Sequence, residues 1–173
     1  MRPTALARIA VGVVVERRKA RSPWLELHWR PVSVLVGTPS AAPWTRIGEE
    51  DDATTFYAGE AAIELYRTET ANYRQNLGSG MAALWVVLRP IAANSAGPAF
   101  DILAVTADPA EGEALTAAGN DLVATVPMPT AIIATIESFI AEHHVERPFN
   151  KRERNRGEPP IPAHRSEDRE SSK

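Results

Sequence analysis

The sequence has 173 residues, of which 44% are hydrophobic and 24% are charged, and it contains no cysteine. This length supports a single domain, and the lack of thiols excludes disulfides, cysteine-ligated metal clusters and thiolate nucleophiles in this chain. The net charge of -3 argues against a uniform electrostatic grip on a nucleic-acid backbone. No apolar run approaches the roughly 20 residues of a transmembrane helix. The apolar stretch between Arg8 and Glu16 is too short and too β-branched for a signal peptide, so we expect a soluble, cytoplasmic protein.

The charges are unevenly distributed along the chain. Residues 146–173 carry eight Lys/Arg, six Asp/Glu and four prolines, with only Phe149 and Ile161 as bulky apolar side chains. A segment of this kind has too little apolar surface to form a core. We therefore expect one α+β domain over 1–145 with a formal charge of -5, followed by a charged, disordered tail over 146–173 with a formal charge of +2.

The first elements of the domain are predicted strands. Residues 9–15 alternate strictly and are largely apolar on both faces, which predicts a strand inside a sheet. The basic segment 17–23 contains a Ser-Pro break and predicts a hairpin loop. Residues 24–36 predict a second strand, which must bend, bulge or lie at an edge at Pro31 because proline cannot donate to a ladder.

Further strands are predicted in hairpin succession. They lie at 44–48, 54–58, 84–88 and 100–106, and 61–67 is either a separate strand or a continuation of 54–58. An acidic turn at 49–52 precedes the second of these, and Gly59 breaks the alternation in the way that a β-bulge does. Residues 69–80 show no clear period and end in Gly-Ser-Gly.

Two helices follow the strands in the prediction. Asp108, Pro109 and Glu111 supply an N-cap, a first-turn proline and a first-turn carboxylate, and Gly119 supplies the stop. Residues 130–144 place apolar side chains at helical spacing. Strands in succession followed by helices indicate the α+β class. We interpret the architecture as a curved antiparallel sheet or half-barrel of six to seven strands, closed by a C-terminal amphipathic helix.

The sequence offers no strong motif for catalysis or cofactor binding. The Gly-Ser-Gly segment at 78–80 precedes a strand and has no lysine nearby, so it predicts a turn rather than a phosphate loop. His143 and His144 are adjacent and would point about 100° apart on a helix, so they cannot share one metal ion; we expect one to be packed and one solvated. The carboxylates at 49–52 diverge and predict a solvated turn rather than a cation site. We assign no catalytic residue, metal or cofactor.

Aromatic and basic side chains are interleaved in the N-terminal half. One interpretation places Trp29 and Trp85 in the core, with Trp24 and Trp44 covering the sheet edge. The other is a surface that grips a protein partner or single-stranded nucleic acid. The candidate partner-binding residues there are Arg17, Arg18, Trp24, Arg30 and Trp44. A second candidate patch consists of Glu69, Tyr73 and Asn76, because polar groups in irregular segments between strands often form sites.

The start of the tail is strongly basic. Between residues 147 and 156 there are five basic side chains and one acidic side chain. This composition fits a docking arm that orders against an acidic partner, and it fits a solubilising tail equally well. The candidate docking residues are Arg147, Phe149, Lys151, Arg152 and Arg154.

Several strings in the chain also resemble a known family. They are VGVVVERR, PWLELHWRPV, TFYAGEAAIELYRTETANYRQNL, LWVVLRP and EHHVERPFNKRERNR. Over residues 7–156 they are similar to an uncharacterised proteobacterial domain-of-unknown-function family. Members of that family are often encoded beside molybdenum-dependent formate dehydrogenase and its maturation proteins, which implies an accessory role in that pathway.

Three functions are compatible with these observations. The first is a non-catalytic accessory or assembly protein, for which formate dehydrogenase or its maturation factors would be the protein partner. The second is a transferase in the biosynthesis of the molybdopterin nucleotide cofactor, although such a nucleotidyltransferase needs a glycine-rich loop where this chain has VVVERRKARSP. The third is a nucleic-acid-binding module, which the acidic domain disfavours. We predict the accessory or assembly role, and we expect no binding to a membrane.

Overall fold

The computed structural model describes residues 4–24, 27–92 and 100–146. The strands within them are β1 (Ala7–Lys19), β2 (Leu27–Val36), β3 (Thr45–Glu50), β4 (Ala53–Leu65), β5 (Ala83–Pro90), β6 (Phe100–Thr106) and β7 (Leu122–Pro127). The helices are α1 (Thr70–Gly78), which follows a 3-10 turn at Arg67–Glu69, α2 (Pro109–Ala117) and α3 (Thr130–His143). The predicted α+β class is therefore confirmed. None of these helices is long and apolar enough to cross a membrane.

The strands form two antiparallel sheets. Their orders are β2-β1-β4-β3 and β6-β5-β7. Strand β2 lies beside β7, and β4 lies beside β6, so the two sheets share one core. The predicted single curved sheet or half-barrel is therefore replaced by two sheets, because alternation indicates which face of a strand is buried but not which strands pair.

The core lies between the two sheets and is filled by aliphatic side chains. The fully buried ones are Val11, Val13, Val15, Ile63 and Leu65 from the larger sheet, Leu84, Val86 and Leu88 from the smaller sheet, and Ile132 and Ile136 from α3. β-Branched residues dominate β1 because they fit a pleated surface that is buried on both sides.

Two β-bulges, one in β2 and one in β4, shift the pairing of these strands with the middle of β1. In β2, Ser33 pairs with Val14 but Pro31 pairs with Val15, which leaves one extra residue between them. Of the alternatives predicted at Pro31, the structure shows a bulge, and β2 is also an edge strand. An extra residue inverts the alternation, so the half of β2 beyond the bulge presents its odd-numbered side chains to the core, among them Trp29.

Strand β4 contains the second bulge, which confirms the interpretation of Gly59. Val13 pairs with Gly59, whereas Val14 pairs with Tyr57, so one residue is extra. Gly59 has a φ of +139°, which a residue with a side chain rarely adopts. Beyond this bulge Phe56 faces the core side of the sheet, opposite Val15. A comparable shift in β6 lies between Ile102 and Ala104.

The core has two distinct ends, which β1 connects. At the amino end of β1, Ala7 pairs with Leu65, and α1 and α3 pack together nearby, with the rings of Tyr73 and Phe139 6.3 Å apart. We call this the helix end. At the carboxyl end of β1, Arg17 pairs with Trp29, and aromatic rings close the core. We call this the aromatic end.

Helices α2 and α3 confirm their predictions. The carboxylate of Asp108 accepts a hydrogen bond from the Ala110 backbone N–H at 2.9 Å, and Gly119 follows α2 with a φ of +77°. In α3 the buried side chains are Ile132, Ile136 and Phe139. Their spacing is the one that the sequence indicates.

Two elements were not predicted, namely α1 and β7. The buried face of α1 consists of Thr70, Tyr73 and Asn76, and a search for apolar periodicity passes over two polar residues of this kind. Strand β7 is short, with six residues between the end of α2 and the start of α3. The acidic turn predicted at 49–52 is shorter than expected. Glu49 and Glu50 belong to β3, and only Asp51 and Asp52 form the turn.

Candidate partner-binding surface

An aromatic cluster closes the aromatic end. Trp29 is at its centre, and its ring centroid lies 5.9 Å from that of Trp44, 5.8 Å from Phe56 and 5.7 Å from Phe100. Phe100 is buried, whereas the other three are half-buried. The cluster therefore seals the core and still exposes part of its aromatic surface to solvent.

Arg17 covers this cluster. Its guanidinium carbon lies 5.6 Å from the ring centroid of Trp29 and 5.3 Å from that of Phe56, which is cation–π geometry. The same group donates a hydrogen bond to the Thr54 hydroxyl at 3.5 Å. A guanidinium held over aromatic rings is pre-ordered for further contacts, since less side-chain freedom remains to be lost on binding.

The backbone of Trp44, another member of the cluster, is strained. Its φ is +64°, in the left-handed region that costs a bulky residue energy. Its backbone N–H donates to the Tyr57 carbonyl at 2.6 Å, and this bond holds the strained residue against β4. The predicted role of Trp44 at a sheet edge is consistent with this position next to β3.

Arg18 and Arg30 lie on the opposite face of the larger sheet. Both contact the Glu16 carboxylate, Arg18 Nε at 3.2 Å and Arg30 Nη2 at 3.1 Å. The hydrogen bond from Arg18, together with Arg30, lowers the pKa of Glu16 even though burial opposes the shift. Successive side chains of a strand point to opposite faces, so Arg17 cannot share a surface with Arg18. The predicted single surface is therefore divided in two.

Exposed apolar side chains surround the aromatic end. Trp24 lies in the β1–β2 connection and is 90% exposed. Leu27 is 41% exposed and alternates onto the same face of β2 as Trp29. Ile91 is 38% exposed and follows Pro90, the partner of Phe100. Single exposed apolar residues are ordinary, but a group around a half-buried aromatic cluster is typical of an interaction surface.

A basic groove lies where β1 connects to β2. Its volume is 540 Å³, and its lining includes Arg18, Lys19, Arg21 and His28, together with Asp52. The backbone of Lys19 is fixed by a hydrogen bond to the Asp52 carbonyl at 3.0 Å. Arg18 and His28 pair across β1 and β2 on the face opposite Arg17 and Trp29, so the groove extends onto the outer face, and only Lys19 alternates onto the face of the aromatic cluster.

The second predicted patch is largely internal. Asn76 is 5% exposed, and its amide donates to the carbonyls of Ala83 and Ala107, each at 2.8 Å, while accepting from the Ala83 N–H at 3.0 Å. These bonds tie α1 to the smaller sheet. Asn76 therefore presents no surface to a partner, and its amide group stabilises the fold.

Tyr73 is internal as well. It is 1% exposed, and its hydroxyl accepts a hydrogen bond from the Tyr66 N–H at 3.1 Å. Burial raises the pKa of Tyr73 to about 12. Glu69 is half-buried and accepts a hydrogen bond from Asn72 at 3.1 Å. Of the three predicted residues, only Glu69 reaches the surface.

The structure also adds residues that the sequence search missed. Phe56 and Phe100 belong to the aromatic cluster, and Leu27 extends its surface. The bulges beside Pro31 and Gly59 turn Trp29 and Phe56 to the same side of the sheet, and allowing for them in the sequence would have placed Phe56 next to Trp29. The candidate docking residues at 147–154 lie outside the described part of the chain, so their role stays a prediction.

No group of three or more His, Asp or Glu side chains within the described ranges could hold a metal ion. No curated protein and no solved structure matches this chain. One family model does match, with the description "Protein of unknown function (DUF3305)", and it covers residues 10–153. The match includes helices α1 and α3 of the helix end and all the residues of the aromatic cluster. The chain therefore belongs to the DUF3305 family of proteins of unknown function.

Proposed function

We propose that this chain is a non-catalytic accessory or assembly protein that binds a partner protein through the aromatic end. The observation that carries the proposal is the half-buried aromatic cluster covered by Arg17. Tryptophan and arginine are the residue types most enriched among interface hot spots, where a few side chains supply most of the binding energy. We place this activity in the cytoplasm.

Two further observations support a protein as the partner. The apolar side chains of Trp24, Leu27 and Ile91 around the cluster would be removed from water on binding, which is the main driving force of association. The end of β1 beside the cluster carries charges of both signs, with Lys19 and Arg21 near Asp52. A nucleic-acid backbone requires a predominantly positive rim, whereas a protein surface can match both signs.

The family resemblance suggests which partner to try first. Similar proteins are often encoded beside molybdenum-dependent formate dehydrogenase and its maturation proteins, so we propose one of these as the partner. The alternative is a transferase that acts on the molybdopterin nucleotide. It predicts saturable binding of GTP and turnover, which the accessory role does not.

The test compares Arg17 of β1 with Arg30 of β2. These two strands are paired, and the two side chains lie on opposite faces of the sheet. The full chain is tagged and used to capture partners from the native organism, as wild type, Arg17→Ala, Trp24→Ala and Arg30→Ala. Arg30 is the matched control, because it removes the same charge from the opposite face of the sheet. Purified formate dehydrogenase, titrated against each variant, then gives the change in Kd.

We expect Arg17→Ala to weaken binding by about 30-fold, as a hot-spot arginine does. Trp24→Ala should weaken it as well, and Arg30→Ala should leave it within about twofold. Failure of the wild-type chain to enrich any dehydrogenase subunit or maturation protein would refute the proposed partner. Equal losses for Arg17→Ala and Arg30→Ala would refute the aromatic end as the binding surface.

A further inference from the structure

A cleft of 760 Å³ lies at the helix end, the other end of the core from the aromatic end. One wall is formed by the 3-10 turn and the first residues of α1, and the other by the C-terminal end of α3. The lining includes Arg67 and Arg74 from the first wall and His143, His144 and Glu146 from the second. We call it the cationic cleft.

Among the described residues, no carboxylate forms an ion pair with Arg67, and Arg74 forms a single weak one. Arg67 and Arg74 are both exposed. The ion pair of Arg74 is with Glu146, whose side chain is 86% exposed, over a distance of 3.9 Å. A solvent-exposed pair at that distance contributes little. Both arginines can therefore take a stronger partner.

A hydrogen-bonded chain holds Arg74 in place. Its Nη1 lies 2.8 Å from His144 Nε2, and because a guanidinium only donates, this ring nitrogen must accept. The proton of His144 is then on Nδ1, which donates to the Thr70 hydroxyl at 2.9 Å. The Thr70 hydroxyl in turn donates to the Arg67 carbonyl at 3.3 Å.

This chain of bonds has a consequence for ligand binding. It uses one donor of Arg74 and leaves the other guanidinium N–H groups for the cleft. It also joins the residue after α3 to the first residue of α1, so the two walls are fixed relative to each other. His143 is packed against Phe139, with ring centroids 4.5 Å apart, and gives the second wall a rigid side chain. Both histidines are half-buried and His144 is engaged in these bonds, so the expectation that one of the two is solvated is wrong.

We propose that the cationic cleft binds a phosphate group, either free or as an ester, through the side chains of Arg67 and Arg74. The planar fork of a guanidinium matches two oxygens of a phosphate, and charge-assisted bonds of this kind are the strong ones. Helix α1 begins in the cleft, and the positive end of its dipole attracts an anion, whereas the C-terminal end of α3 and the Glu146 carboxylate on the other wall oppose it. The two guanidinium groups therefore supply the attraction. This site is independent of the proposed partner surface.

The experiment uses calorimetric titration of the full chain at low salt with two probes, inorganic pyrophosphate and ADP. The variants are Arg67→Ala, Arg74→Ala and Glu146→Gln. The matched control is Arg8→Ala, which removes the same charge beside Glu64, at a different surface. Because Arg74→Ala also breaks the bond to His144, Arg67→Ala provides the variant that leaves the hydrogen-bonded chain through His144 intact.

We expect saturable binding with one site per chain. Arg67→Ala and Arg74→Ala should each raise the Kd of pyrophosphate by about tenfold or more, Glu146→Gln should lower it, and Arg8→Ala should leave it unchanged. The imidazole ¹⁵N resonance of His144 Nε2 should move during the titration. Equal affinities for the two probes indicate a free oxyanion, and tighter binding of ADP indicates a phosphate ester; both support the site.

Two results would overturn the proposal. One is the absence of saturable binding by both probes. The other is a loss of affinity in Arg8→Ala as large as that in Arg67→Ala, because binding would then follow net charge rather than the cleft.

Discussion

The contact between Gly112 and Trp85 makes a sharp prediction about how α2 lies on the smaller sheet. A Cβ atom built on Gly112 would lie 2.2 Å from Cγ of the Trp85 indole and 2.4 Å from Cδ1. Carbon atoms in ordinary contact are about 3.5–4.0 Å apart. In Gly112→Ala, α2 or the indole must therefore move by about 1.5 Å.

The net effect can be estimated from two opposing contributions. Overpacking of this size costs about 1–3 kcal/mol. Alanine in place of glycine inside a helix returns up to about 1 kcal/mol. Because the contact atoms belong to a rigid ring beside buried Val87, we expect a cost near the upper limit, and so a net loss of about 2 kcal/mol, or about 4–8 °C in Tm.

The assay is thermal and urea unfolding followed by circular dichroism. Gly78→Ala is the matched control, since Gly78 is also helical and a Cβ there would have no neighbour within 4 Å; we expect no loss of stability. The double variant Gly112→Ala/Trp85→Leu should be more stable than the sum of the two single effects, because the smaller side chain relieves the clash. A Gly112→Ala variant as stable as the wild type would refute the close packing of α2 on β5.

Three further predictions concern single side chains. Arginine contacts lower the pKa of Glu16, so its carboxylate stabilises the fold above the unfolded value of about 4.3, and that stabilisation is lost as the pH falls through the folded pKa. Glu16→Gln should flatten the plot of unfolding free energy against pH below about pH 5, and an unchanged slope in urea titrations contradicts this. The pKa of Tyr73 is about 12 in the fold, so the unfolded chain loses its phenolic proton first and stability falls as the pH rises from about 10 to 12. Tyr73→Phe should reduce this fall in Tm, and equal alkaline melting curves would show the reasoning to be wrong. Asn76→Ala leaves the buried Ala107 carbonyl, and the half-buried Ala83 carbonyl and N–H, without this partner and should cost about 3 kcal/mol. The exposed Gln75→Ala is its control, with an expected change under about 0.5 kcal/mol; similar losses for both would contradict the role of Asn76.

Elements with strong local patterns could be predicted from the sequence. The alternation at 9–15 becomes β1, and the capping residues of α2 act as their types suggest, with Asp108 bonded to the Ala110 N–H. The spacing of Ile132, Ile136 and Phe139 gives the buried face of α3. In each case the signal is contained within about a dozen residues, where propensity and periodicity operate.

The candidate site could be predicted only in part. Arg17 and Arg18 are neighbours in the sequence, and strand alternation alone separates them onto two faces, a step that a count of nearby basic residues omits. Trp29, Trp44 and Phe100 come from distant parts of the chain, and their contact depends on strand pairing. The interior roles of Tyr73 and Asn76 depend on partners in other elements, so polar composition suggested a surface patch.

The bulges in β2 and β4 make the position of the aromatic rings depend on strand length. Removing one residue between Pro31 and Ser33 would restore strict alternation and turn Trp29 to the outer face, although every aromatic residue would still be present. The same holds for Phe56 and the extra residue beside Gly59. Among related sequences, a one-residue gap at either bulge should therefore mark a protein that keeps the fold and lacks the aromatic end, even where its tryptophans align.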